Sequence, residues 1–123
     1  RLTLLENDKS ILTLFNENIL QTFLYAEKMM INVIHAFVRE DVDVAFGVIS
    51  SDDKLDFLHR TSIAELSSKT YSAETYPNYK AEMLQIGRIY YGIERIGDKA
   101  SNIAESIIFA ANGENINHSE DIF

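Results

Sequence analysis

Tyr91-Gly-Ile-Glu-Arg-Ile-Gly-Asp-Lys-Ala-Ser-Asn-Ile-Ala-Glu105 is the stretch on which the reading of this chain turns. Its apolar residues recur at helical spacings: Ile93, Ala100 and Ala104 continue a stripe that begins at Ile86 and Ile89 and reaches Ile107. Beside the stripe run Glu94, Asp98, Asn102 and Glu105, all within an arc of roughly 80° on a 3.6-residue period. Gly87, Gly97 and Ser101 flank these acids, and such small side chains let another backbone or an ion come close. Working outward, Pro77 suits the first turn of this helix and Gly113 the position that ends it, so the spacing predicts a helix over 77–112. A short polar tail is expected from Asn115 to Phe123.

Upstream, Ser67 to Asn78 is polar and reads as a connection. A second helix is predicted over 42–69, with Asp41 as its N-cap and Ala45, Val48, Ile49, Leu55, Ile63 and Leu66 as its apolar positions. A first helix is predicted over 8–39, with Leu12, Phe15, Ile19, Phe23, Ala26, Met30, Val33 and Phe37 in one stripe. Three helices with short connections make an all-α, three-helix up-down bundle, expected as a single domain over 1–123.

Composition narrows the function. With 46% hydrophobic residues in 123, the chain can bury a core, yet no apolar run approaches the ~20 residues that span a bilayer. No cysteine is present, which excludes disulfide and thiolate chemistry and agrees with a cytoplasmic location. The net charge of −8 opposes binding to nucleic acid or an anionic membrane and favours cations or basic protein surfaces. There is no HExxH, no glycine-rich phosphate loop and no nucleophile–base arrangement, so no catalytic residue is assigned.

The second helix holds the anomaly. Counting ~100° per residue from Ala45, Asp52 and Asp56 fall within roughly 20° of the centre of the core stripe and His59 within about 40°. A carboxylate aimed into a bundle costs several kcal/mol unless paired or bound to a cation. Asp52 with Asp56, and Glu94 with Asp98, are two pairs spaced i and i+4 on core-side faces. Inward carboxylates on facing helices are how bundles build metal sites, so these four are the candidate ligands, with His59, Asn102 and Glu105 as additional or outer ones. Oxygen donors favour Mg, Mn, Ca or ferrous iron, and an imidazole tilts the set toward Mn, Fe or Zn. Arg95 and Lys99 point away from the acids, and the tyrosines at 71, 76, 79, 90 and 91 read as a packing patch.

The 91–105 stretch closely resembles the signature of the PhoU family of phosphate-uptake regulators. That signature typically reads leucine-glutamate-arginine-isoleucine-glycine-aspartate-histidine-alanine, then asparagine-isoleucine-alanine-glutamate. Asp52-Asp53-Lys54-Leu55-Asp56 resembles the family's aspartate pair followed by a third aspartate, and the break from Arg39 to Val44 matches its first connection. The resemblance runs from about Leu12 to His118. It implies a helical bundle, an acid-xxx-Asp motif on each of two helices that together hold a metal, and a cytoplasmic regulator acting through the phosphate ABC transporter and a sensor kinase. The same four residues, Asp52, Asp56, Glu94 and Asp98, carry those motifs here. Lys99 departs from the family by standing where histidine is frequent. The family usually has two repeats and this chain holds one, whose end resembles the close of the second, so a homodimer is expected. The expectation is a non-enzymatic regulator of phosphate uptake with an Fe, Zn, Mn or Mg site. The alternatives are the regulatory tail of a sodium-phosphate cotransporter, or a metal-dependent phosphate-ester or polyphosphate hydrolase.

Overall fold

The computed structural model describes residues 14–68 and 77–120, with side chains over 14–67 and 77–113. Three helices follow one another: α1, Asn16–Arg39; α2, Val42–Ser68; α3, Tyr79–Glu120. Each packs on both of the others, in the expected up-down-up order. The predicted 8–13 portion of the first helix and the tyrosines at 71 and 76 lie outside the described residues.

The turn between α1 and α2 is built from two residues. Glu40 takes the left-handed conformation, φ 53, and ends α1. The Asp41 N–H bonds back to the Ala36 carbonyl at 2.9 Å and the Glu40 N–H to Phe37 at 3.4 Å, which satisfies carbonyls the helix end would leave bare. Asp41 then caps α2 as expected, its Oδ1 accepting from the Val44 N–H at 3.1 Å. At the far end Pro77 and Asn78 form a turn before α3, whose first bond runs from the Glu82 N–H to the Asn78 carbonyl at 3.0 Å. Pro77 therefore precedes the helix rather than sitting in its first turn.

Gly113 does not end α3. No glycine among the described residues has a positive φ, and the helix runs 42 residues to Glu120, including most of the stretch expected as a polar tail. A helical glycine costs only about 1 kcal/mol relative to alanine, which the turns on either side offset.

The core forms where three seams meet. On α1 the buried positions are Thr22, Ala26, Met29, Val33 and Ala36, with Phe15 buried just before its first residue; on α3 they include Ile86, Tyr90, Ile93, Gly97, Ala100 and Ala104. On α2 they are Ala45, Val48, Leu55, Ser62 and Leu66, with Asp52 and His59 half-buried between them. These spacings of three and four, summing to seven, are the knobs-into-holes pattern of coiled coils. Phe23, Phe37 and Ile89, expected in the core, are exposed, because a seam of period 3.5 drifts ~20° per heptad away from a straight 3.6-residue stripe.

Candidate metal centre

The α2–α3 seam brings the acids together through one glycine. A Cβ on Gly97 would collide with the Leu55 side chain and lie 3.4 Å from Asp52 Oδ1. The missing side chain is what lets α2 approach α3 here, with Leu55 fully buried under the contact. Asp52 occupies a seam position, seven residues after Ala45, and is half-buried. Burial pushes its carboxyl above the usual range, and the nearby charges of Asp98, Glu94, Asp53 and Asp56, in that order, push the same way. Asp52 is thus a carboxylate facing other carboxylates, with no cation of the chain paired to it among the described residues.

Two turns further along α2 from Asp52 the seam position is His59. Its Nδ1 lies 2.7 Å from Glu94 Oε1, tying α2 to α3, and its ring stacks on Tyr90 with centroids 5.1 Å apart and planes 10° from parallel. A carboxylate on Nδ1 fixes the imidazole and leaves Nε2 as the nitrogen open to a ligand, the arrangement by which proteins orient metal-binding histidines. The Tyr90 hydroxyl and Ser101 Oγ are buried with no hydrogen-bond partner among the described residues.

Asp56 lies elsewhere than expected. It is 55% exposed and pairs with Arg60 at 3.2 Å, one turn along the same helix. The heptad drift accounts for this: eleven residues past Ala45 the seam has turned so that Leu55 faces inward and Asp56 stands on its outer shoulder. Glu94 is half-buried, while Asp98, Asn102 and Glu105 are exposed along the same edge of α3. Arg95 and Lys99 do point away, the Arg95 Nη1 donating to the Tyr91 hydroxyl at 3.1 Å. Among the described residues of the expected tyrosine patch, Tyr90 is buried, Tyr79 is half-buried and Tyr91 is on the outer surface, so these three do not share one face.

As they stand, no three His, Asp or Glu groups among the described residues converge tightly enough to hold an ion. The donor chemistry nevertheless fits one. Carboxylates from two helices face a common seam, and a hard divalent cation would offset the burial, and after it the repulsion, that raise Asp52. The part that sequence reasoning missed is Tyr90 with the His59–Glu94 link it supports; its spacing from Ile86 and Gly97 on the α3 seam was the available signal.

Fold and site together define a helical-bundle protein with a carboxylate-rich seam between its second and third helices. The model of the PhoU domain matches residues 19–107, and the chain belongs to the PhoU family. It is similar to the phosphate-specific transport system accessory protein PhoU homolog of Pseudomonas aeruginosa, 36% identical over 92 residues, which is 75% of this chain and 37% of that protein. The corresponding accessory protein of Escherichia coli is 31% identical over 94 residues, 74% of this chain and 36% of its own length. PhoU homolog 1 of Thermotoga maritima is 32% identical over 93 residues, 72% of this chain and 37% of its own length. The chain thus matches little more than a third of the length of these relatives. No solved structure matches it. Among the described residues no helix is long and apolar enough to cross a membrane.

Proposed function

We propose that this chain is a regulatory module of phosphate uptake that acts by contact with a protein partner, and that a divalent cation held by the α2–α3 seam sets the geometry of that contact. The observation that carries the reading is Asp52. It is a half-buried acid on a seam position, crowded by Asp98 and Glu94 across the Gly97 contact. Such an arrangement destabilises the bundle unless a cation completes it.

Asp52, Asp98 and Glu94 are the nearest donors, and Asp56 joins them by giving up Arg60, an exposed pair worth only ~0.5 kcal/mol. His59 Nε2 extends the set on the Tyr90 side, and Asn102 and Glu105 stand further along the same edge of α3. The cation would supply positive charge at a place where the chain has none. Donors from both helices would then draw α2 onto α3 and stiffen the acidic edge that a partner meets. Oxygen donors with one imidazole suit Mn, Fe or Zn, and Mg if the imidazole stays outside.

Family membership and the accessory-protein names of the relatives support a partner within the phosphate-specific transport system; its ABC transporter and a sensor kinase, met at the cytoplasmic face of the membrane, are the partners that this reading proposes.

Equilibrium dialysis of chelator-stripped protein against Mn²⁺, Zn²⁺, Fe²⁺ and Mg²⁺ tests the site. Saturable binding of one ion, lost in Asp52→Asn and Asp98→Asn with helicity unchanged, is the expected result. Binding indifferent to both substitutions, or none with any ion, would overturn the cation part of the proposal.

A further inference from the structure

Three hydroxyls in these helices are satisfied in the same way. Thr22, Ser51 and Ser106 each donate to the backbone carbonyl four residues earlier: Thr22 to Asn18 at 2.8 Å, Ser51 to Gly47 at 2.9 Å and Ser106 to Asn102 at 3.1 Å. Ser101 does not. It is only 7% exposed, and its Oγ is buried with no hydrogen-bond partner among the described residues. A buried hydroxyl left so costs about 1–3 kcal/mol, which calls for a group that the described chain does not itself supply.

The register of the α2–α3 seam says what faces this hydroxyl. The two helices run antiparallel, and His59 meets Glu94 at 2.7 Å. One heptad back along α2 is Asp52, and one heptad forward along α3 is Ser101. In an antiparallel heptad seam those two positions lie opposite each other, as do Ala45 and Ile108 a heptad beyond. The Gly97 contact agrees. Asp52 Oδ1 lies 3.4 Å from where a Gly97 Cβ would stand, and Ser101 is one turn on along that face of α3, about 5–6 Å away between Cβ positions. The buried hydroxyl and the half-buried carboxylate therefore face one small space beside Gly97. The Tyr90 hydroxyl, also buried without a partner among the described residues, is about 16 Å from Ser101 along α3 and has no part in it.

We infer that Ser101 Oγ is a neutral oxygen ligand of the cation that Asp52 holds, and that it biases the site toward a hard ion such as Mg²⁺ or Mn²⁺ over Zn²⁺; this rests on the cation reading proposed above and adds to it a ligand and a preference. A hydroxyl oxygen offers lone pairs to a hard cation, as the serine or threonine of a P-loop does to Mg²⁺. It adds a donor without adding charge, at a place where Asp98 and Glu94 already crowd Asp52. Zn²⁺ closes a four-coordinate shell and favours nitrogen and sulfur, so it gains less from a hydroxyl. The imidazole of His59 is tied to Glu94 one heptad, about 10 Å, further along α2. Oxygen is thus the donor element at the level of Asp52 and Ser101.

Equilibrium dialysis of the chelator-stripped chain and of its Ser101→Ala and Ser101→Cys variants is the test, with circular dichroism checking that each keeps its helicity. Ser101→Ala should weaken Mn²⁺ binding ~10-fold and Zn²⁺ binding less than ~3-fold. Ser101→Cys sets a lone thiol at this position, because the sequence has no cysteine of its own. Co²⁺ should then give a thiolate-to-cobalt charge-transfer band in the near ultraviolet, absent from the wild type and lost when Asp52→Asn is added. Zn²⁺ should bind this variant more tightly than it binds the wild type. Mn²⁺ binding unchanged in Ser101→Ala, or Co²⁺ bound by Ser101→Cys without the band, would overturn the role of Ser101 and leave the cation site standing. Equal losses of Mn²⁺ and Zn²⁺ in Ser101→Ala would overturn the preference. A wild-type chain that binds no ion would overturn both the site and this ligand.

Discussion

Replacing Gly97 by alanine puts the α2–α3 contact to a quantitative test. Two opposing effects meet at this position. Alanine is the better helix former, which by itself stabilises by about 0.8–1.0 kcal/mol. Its Cβ, however, would collide with the fully buried Leu55 side chain and approach Asp52 Oδ1 to 3.4 Å. Forcing a packed leucine from its rotamer or the helices apart costs typically 1–3 kcal/mol. The collision therefore wins, and Gly97→Ala should lose about 1 kcal/mol net. Gly47 and Gly87 supply the control, because a Cβ at either meets nothing within 4 Å. Gly47→Ala and Gly87→Ala should each gain about 1 kcal/mol. Urea unfolding followed by circular dichroism reads all three. If Gly97→Ala were stabilised as much as Gly87→Ala, the helices would not be in contact through this residue, and the placement of Asp52 against α3 would go with it.

Other outcomes follow from the same structure. Asp52 ionises in the folded chain at a higher pH than in the unfolded one, so between those two values the folded state holds more protons and stability falls as pH rises through the window. Asp52→Asn should accordingly stabilise the metal-free protein at neutral pH and lose its advantage as pH falls below the ordinary aspartate range, read from melts between pH 3 and 8. Glu40 pays for its left-handed φ of 53 with about 1–2 kcal/mol, against ~0.5–1 kcal/mol of extra chain entropy for glycine. Glu40→Gly should therefore stabilise by about 0.5–1 kcal/mol in urea titration, and a loss would contradict the cap geometry. Tyr90→Phe removes a buried hydroxyl that has no partner among the described residues, so it should leave stability unchanged or raise it by up to about 1 kcal/mol; a drop of 2 would mean that the hydroxyl is bonded.

What the sequence made legible was the set of helices, the Asp41 cap and the acidic character of one seam. These depend on local signals: spacing, a capping residue, charge beside an apolar stripe. What it hid depends on how three helices wind together. A fixed angle per residue carries Asp56 inward and Phe23 into the core, whereas a heptad seam drifts the other way and leaves both outside. Gly113 reads as a stop, but a glycine ends a helix only where the chain turns left-handed, and nothing in the neighbouring residue types decides that. The His59–Glu94 link joins residues 35 apart in sequence and appears only once α2 and α3 are set side by side. The apolar outer face of α1 was written in the sequence too, as Leu20, Leu24, Ile31 and Val38, but it becomes visible only when the core is known to lie on the other side.

The central claim is that a cation held by both helices ties α2 to α3. Thermal melts of chelator-stripped protein, titrated with Mn²⁺, Fe²⁺, Zn²⁺ and Mg²⁺, test it most directly. The account predicts a saturable rise with one ion that at 100 times its dissociation constant corresponds to about 2.7 kcal/mol, vanishing in Asp52→Asn and in Asp98→Ala. A melting temperature unmoved by every ion would contradict it, and would leave Asp52, Glu94 and Asp98 as an acidic surface for a basic partner.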